Sequence, residues 1–381
     1  MTNLLVYNES GLDVFNLNET SDLDPEFSES VKIVIMLLIS LLIIVTVFGN
    51  ILVVIAFIVD KSLRTQSNFF LLNLAICDFI IGAFVIPLYL LYLLNGKWML
   101  GKNICKLWVM ADYTMCSASA FNIALISYDR FLSVTKAVLY RSSQNNHSQT
   151  VLKMASVWIT SFLLYGPAIL FWETVFGEKD VAEGVCVPAF YDAWFFHLGT
   201  STFDFIFPLI SISFFNLRIY WNITKRSKKR QQLAPPPSAV IENHAKQYTI
   251  STTLALSPDQ MISLPLTKTV KKALRQCFQT KDPSQMDHVS NTYNIQVIKL
   301  SRDKKVAKSL AILVCIFAIC WAPYTFLISI RTACHGYCIP YYWFDIAVWI
   351  SYLNSAINPV LYPLCHKGFR KAFAMIFQKV F

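Results

Sequence analysis

The chain has 381 residues, of which 55% are hydrophobic and only 15% charged, with a mean hydropathy of +0.48. That is too apolar for an ordinary soluble domain, and the recurrence of long apolar runs indicates a polytopic helical membrane protein. The formal net charge of +10 needs no nucleic-acid partner to explain it, because Lys and Arg concentrate in cytoplasmic loops of such proteins.

Residues 1–30 contain no Lys or Arg but carry Glu9, Asp13, Glu19, Asp22, Asp24, Glu26 and Glu29. This segment is expected outside the cell, with sequons at Asn8 and Asn18 as glycosylation acceptors. It lacks a basic region and an early apolar core, so no cleavable signal peptide is expected and the first span serves as the targeting signal. Seven hydropathic spans follow, from about Val31 to Val59, Phe69 to Leu94, Cys105 to Thr135, Val151 to Phe171, Tyr191 to Asn222, Val306 to Arg331 and Tyr341 to Leu364. Each approaches or exceeds the roughly 20 residues that cross a bilayer. Their continuous apolar character excludes a β-barrel, which would alternate with period two.

In the third span, "DYTMCSASAFNIALISYDRF" places Asp112 and the pair Asp129-Arg130 at opposite ends. At 1.5 Å per helical residue the two acids lie about 25 Å apart, close to the thickness of the hydrocarbon core. An ionised group in a span costs about 2.5–3.5 kcal/mol on insertion scales and normally faces a partner inside the bundle. Asp112 reads either as a counter-ion for a ligand cation or as a structural acid paired internally, for instance with Tyr352. Span five carries a second acid, Asp204, four residues before Pro208.

Between spans five and six, residues 227–301 are polar and include "APPPSA". Such a stretch cannot bury enough apolar surface to offset its ordering entropy, so a disordered cytoplasmic loop is expected, with helical extensions of the two spans at its ends. Its basic residues, with Lys367, Arg370 and Lys371 in the tail, put the C-terminus inside and the N-terminus outside. Residues 366–381 alternate basic groups with Phe369, Phe373, Ile376 and Phe377 at helical spacing, an amphipathic helix for the inner leaflet. The domain reading is thus an N-terminal segment 1–30, helices one to five over 31–226, the loop, helices six and seven over 302–365, and the terminal helix.

Motifs fall on the spans in order: Gly49-Asn50, "LNLAICD" ending at Asp78, "DRF" at 129–131, Trp158, Pro208, "FAICWAPY" at 317–324 and "NPVLY" at 358–362. With them the chain resembles the rhodopsin-like G-protein-coupled receptors, an all-α bundle of seven transmembrane helices with a short membrane-surface helix. Phe131 departs from the usual Tyr. Within that family "ISYDRFLSV", "FFNLRIYWNI", "ACHGYC" and "NPVLYPLCHKGFRKAF" are most similar to histamine receptors of the third and fourth subtypes.

The resemblance implies a plasma-membrane receptor for a biogenic amine, histamine foremost, acting through a Gi/o-type G protein to lower cAMP, with arrestin and receptor kinases as further partners. It assigns Asp112, Tyr113, Cys116, Thr200, Asp204, Trp321, Tyr324, Thr325, Trp349 and Tyr352 to the ligand. Asp78, Ser119, Asn354 and Asn358 are assigned to an allosteric sodium ion, against a reading as a water-filled polar cluster. Asp129, Arg130, Phe317, Trp321, Pro323, Asn358, Pro359 and Tyr362 are assigned to activation and G-protein coupling, with Arg130 paired to Asp129 at rest. A snorkelling charge pair is the plainer reading of the last two. Cys105–Cys186 is the expected disulfide, with Cys334–Cys338 as a second. No catalytic constellation and no structural metal site are expected. A receptor for a different amine, using Thr200 and Ser201, stands as the alternative, and an ion-coupled transporter is disfavoured because no internal repeat is evident.

Overall fold

A computed structural model describes residues 29–138, 140, 147–177, 183–191, 193–233, 307–308, 310–331, 333–334, 339, 341–365 and 367–380. The expected glycan acceptors Asn8 and Asn18, Cys338, and residues 234–301 of the expected loop between spans five and six lie outside them. The chain divides into two compact units, Met1–Ile219 with Ala307–Phe381, and Tyr220–Val306.

Among the described residues, eight helices carry the fold. They are α1 (Glu29–Val59), α2 (Gln66–Asn95), α3 (Gly101–Thr135), α4 (His147–Phe176), α5 (Trp194–Ser201 continuing through Thr202–Ile206 and Phe207–Leu233), α6 (Leu310–Arg331), α7 (Tyr341–Cys365) and α8 (Lys367–Val380). The first six are long and apolar enough to cross a membrane. α7 is a helix of 25 residues, but Asn354, Ser355 and Asn358 are buried on it and dilute its hydropathy. α2, α3 and α4 extend beyond the expected apolar runs because hydropathy reports the lipid-facing part of a helix and misses its polar ends. α5 starts three residues later than expected, after the turn at Tyr191.

Prolines explain the local irregularities. A proline supplies no N–H and crowds the carbonyl four residues earlier. α2 widens into a π-turn at Ile81–Val85 just before Pro87, and α5 does the same at Thr202–Ile206 just before Pro208. In α5 the crowded carbonyl is that of Asp204. In α7, Pro359 deprives the Ser355 carbonyl of its helical donor, and the Asn50 side chain of α1 supplies one instead at 3.2 Å.

Gly49 makes that contact possible. A Cβ built on Gly49 would lie 2.6 Å from the Pro359 ring, too close for two packed carbons. Gly49→Ala is therefore expected to force α1 away from α7 at an overpacking cost of about 1–3 kcal/mol. A lower Tm of the purified full-length protein checks this; an unchanged Tm contradicts the packing argument.

Polar side chains tie the helices together. Asn73 on α2 donates to Asn122 on α3 at 2.8 Å and accepts from the Trp158 indole of α4 at 2.9 Å. Trp108 on α3 donates to the Val85 carbonyl inside the α2 π-turn at 3.0 Å. Helix α8 anchors through Phe369, which is fully buried against Phe57 and Tyr362.

Candidate functional site

α3 supplies the centre of the outer site. Asp112 Oδ1 accepts from the Tyr352 hydroxyl of α7 at 3.0 Å and from the Cys116 thiol, one turn away, at 3.5 Å. Its neighbour Tyr113 packs against Tyr165 of α4, with ring centroids 4.8 Å apart, and edge-on against Phe190 at 5.8 Å. The Tyr165 hydroxyl in turn donates to Asp204. Two tyrosines thus link one membrane acid to the other, across α3, α4 and α5.

The π-turn positions Asp204. A widened turn shifts the register of the side chains that follow, and such turns occur frequently at functional sites. Each acid has one hydroxyl donor from a tyrosine, and each is half-buried. A carboxylate accepts at two oxygens, so both keep acceptor capacity for a further donor.

A run of aromatic rings leads on from Tyr352, the partner of Asp112. Trp349 stands edge-on to Tyr352 at 5.7 Å and stacks on Tyr89 of α2 at 4.8 Å. Below, Phe317 lies 5.9 Å from Trp321 and 5.9 Å from Phe205 of α5. The Trp321 indole N–H is buried without a hydrogen-bond partner among the described residues. Tyr324 packs on Phe344 at 5.5 Å. Two residues expected to face a ligand spend their hydroxyls on their own helix: Thr325 donates to the Trp321 carbonyl at 3.0 Å, and Thr200 to the Phe196 carbonyl at 3.0 Å.

Cys105 and Cys186 form the expected disulfide, with Cα atoms 5.7 Å apart. Cys334 is also in a disulfide, and its expected partner Cys338 lies outside the described residues. The first bridge ties the loop before α5 to the top of α3, and Phe190, four residues after Cys186, closes over Tyr113. Sequence reasoning missed Phe190, although the short tether from Cys186 was legible. It also missed Tyr165 and Tyr89, which no motif marks.

Deeper in the bundle, Asp78 accepts from Ser119 at 3.3 Å and from the Asn358 amide at 2.8 Å. Asn354 is buried on the same helix as Asn358. The side-chain oxygens of Asn50 and Asn358 and the Tyr362 hydroxyl have no partner among the described residues. Orphaned buried oxygens around a carboxylate are the donor set a hard cation takes.

At the C-terminal end of α3, Asp129 is buried and accepts from Gln66 at 3.2 Å, Ser67 at 2.6 Å and Tyr140 at 3.0 Å. These three donors were not foreseen; the sequence pointed only to Arg130. Burial first, and the Asp129 carboxylate second, push the Tyr140 phenol above its ordinary range. Tyr140 therefore stays a protonated donor at physiological pH, clamping the chain after α3 to the acid.

Residues 49–362 match the family described as 7 transmembrane receptor (rhodopsin family). The chain is 38% identical to the human histamine H4 receptor over 370 residues, covering 92% of this chain and 93% of that receptor. It is 35% identical to the mouse histamine H4 receptor over 346 residues, with 85% and 87% covered. The muscarinic acetylcholine receptor M1 of pig is 28% identical over 408 residues, with 88% and 87% covered. The chain belongs to the rhodopsin family of seven-transmembrane receptors, as a multi-pass, non-enzymatic member of its amine-receptor group.

Proposed function

We infer that this receptor responds to histamine and lowers cAMP through a Gi/o-type G protein. The observation that carries the reading is the pair of carboxylates, Asp112 and Asp204, joined through Tyr113 and Tyr165. Histamine offers an ammonium at one end and an imidazole N–H at the other, one donor for each acid. Charge-assisted bonds of this kind are roughly twice as strong as neutral ones. Trp349, Tyr352 and Tyr113 add aromatic faces for the ammonium, each worth about 0.5–2 kcal/mol when well placed. Similarity to receptors named for histamine supports the same choice.

The similarity to an acetylcholine receptor motivates the second reading, a different amine. A quaternary ammonium ester has no N–H donor for Asp204, and the Thr200 hydroxyl is already bonded within α5. Both points favour histamine. The test is a cAMP assay in transfected cells exposed to histamine and to a panel of other amines. A histamine-evoked fall in cAMP is expected; silence toward histamine with a response to another amine selects the second reading. In this reading the N-terminus is extracellular, the C-terminus is cytoplasmic, and Asp129, Arg130, Pro323, Pro359 and Tyr362 serve the switch to the G-protein-coupled state.

Asp78, Ser119, Asn354 and Asn358 would hold a sodium ion, whose charge the Asp78 carboxylate balances and whose presence favours the resting arrangement. A ligand shifts an equilibrium only by its differential affinity for the two states. Replacing sodium by a large organic cation at equal ionic strength is expected to raise histamine affinity several-fold in wild type and not in Asp78→Ala. Sodium-insensitive binding in wild type would leave a hydrogen-bonded polar cluster in its place.

A further inference from the structure

Away from the sites described above, two polar side chains are exposed where α3 and α5 pack together. They are Tyr128, beside the buried Asp129, and Arg218 on α5. The Arg218 guanidinium lies 5.5 Å over the Phe214 ring, and Phe214 meets Phe215 edge-on at 5.7 Å. Phe215 packs in turn on Tyr128 at 5.4 Å and on Phe131 at 5.3 Å. Two neighbouring phenylalanines thus stand between a guanidinium and a phenol, and the face of the first orients the cation. Among the described residues the Tyr128 hydroxyl has no hydrogen-bond partner.

Their level in the membrane decides what can meet them. Arg218 stands fourteen residues beyond Asp204 on α5, about 21 Å along the axis. Tyr128 stands sixteen residues beyond Asp112 on α3, about 24 Å along its axis. The hydrocarbon core is roughly 30 Å thick, so both side chains reach one headgroup layer, the cytoplasmic one in the orientation proposed above. Behind them Ile210, Phe214 and Leu217, spaced along one face of α5, are exposed and apolar. Asp129, the acid at this level, is buried and turned to Gln66, Ser67 and Tyr140. A charged side chain on a lipid-facing flank is costly and calls for a counter-charge.

We propose that Arg218 and Tyr128 form a binding site for an anionic glycerophospholipid of the cytoplasmic leaflet, with phosphatidylserine as its type. The planar guanidinium presents paired N–H groups that match two phosphate oxygens. The Tyr128 hydroxyl donates to a further oxygen of the headgroup or glycerol ester. One acyl chain lies along Phe214, Leu217 and Ile210. A choline headgroup would bring a second cation to Arg218, whereas a serine headgroup leaves the lipid a net negative charge. Charge therefore selects between them, and the negative potential of that leaflet adds to the attraction.

The test adds phosphatidylserine, or phosphatidylcholine with the same acyl chains, to the detergent-purified full chain and counts retained lipids by native mass spectrometry. Wild type is expected to retain one phosphatidylserine more than Arg218→Gln. It binds that lipid about tenfold more tightly than phosphatidylcholine, the effect of one hydrogen bond to a charged group. Arg218→Lys keeps the charge without the fork and falls between wild type and Arg218→Gln. Tyr128→Phe keeps the packing on Phe215 and weakens retention about threefold. Lys371→Gln, at an exposed basic residue of α8, retains the wild-type count. Both positions are exposed, so the variants are expected to keep the wild-type Tm in lipid-free detergent. Should Arg218→Gln lower the Tm, Arg218→Lys and Tyr128→Phe carry the comparison. Equal retention of both lipids, an unchanged count in Arg218→Gln, or the same loss in Lys371→Gln overturns the site and leaves Arg218 as a snorkelling side chain.

Discussion

Replacing Asp112 with asparagine is expected to abolish the amine response while leaving the protein folded and at the cell surface. The substitution keeps the shape and removes the charge, and burying an amide costs less than burying a carboxylate. The Tyr352 hydroxyl, which now donates to Asp112 at 3.0 Å, can still donate to the amide oxygen. The bundle therefore loses little, whereas the ligand ammonium loses its counter-ion. Truncating one partner of a hydrogen-bonded charge pair costs about 2–5 kcal/mol, which puts the loss of potency between about thirtyfold and several thousandfold. Surface labelling and a concentration–response curve on the same cells separate folding from binding. Normal potency in Asp112→Asn would remove the counter-ion role.

Asp204 gives the second large effect, and here side-chain length matters. Asp204→Ala is expected to lose most of the histamine response. It also strands the Tyr165 hydroxyl, whose bond to Asp204 ties α4 to α5, so a destabilisation of about 1–3 kcal/mol, read as a lower Tm, accompanies it. Asp204→Glu reaches one methylene farther into the site and is expected to retain or raise histamine potency. Tyr165→Phe distinguishes structure from ligand binding: it removes the tyrosine's bond and leaves the acid. Histamine potency that survives in Asp204→Ala would make Asp204 a structural acid whose partner is Tyr165.

The helices were legible because the hydrocarbon core demands continuous apolar runs, and α1 and α2 follow that rule closely. α7 was legible both as an apolar run and through its motif, although its buried Asn354, Ser355 and Asn358 serve the interior of the bundle and weaken the apolar signal. Asp112 and Asp204 stood out for one physical reason: an acid in an apolar helix is expensive and must be used. The partner of each acid was harder to read. Tyr352 lay on a motif-bearing helix and was foreseen as an internal partner, whereas Tyr165 lies on α4 with nothing in its spacing to mark it. The π-turn that positions Asp204 leaves no hydropathic trace, although Pro208 four residues later was the clue. At the C-terminal end of α3, the charge pair Asp129-Arg130 drew attention to itself, and the neutral donors Gln66, Ser67 and Tyr140 did not. Polar residues that satisfy one another across helices carry no periodic signature in a single chain.

In the proposed function the site reads two donors, an ammonium at Asp112 and a ring N–H at Asp204. Its most direct measurement is the potency of histamine relative to 2-phenylethylamine, an amine of similar size without a ring N–H, in wild type and in Asp204→Ala. A site built to hydrogen-bond a donor rejects the analogue lacking it, because its buried polar group is left unpaired. Histamine is expected to be at least about a hundredfold more potent in wild type, with the ratio falling toward one in Asp204→Ala. Equal potencies in wild type, or a ratio unchanged by removal of the Asp204 carboxylate, would contradict the account.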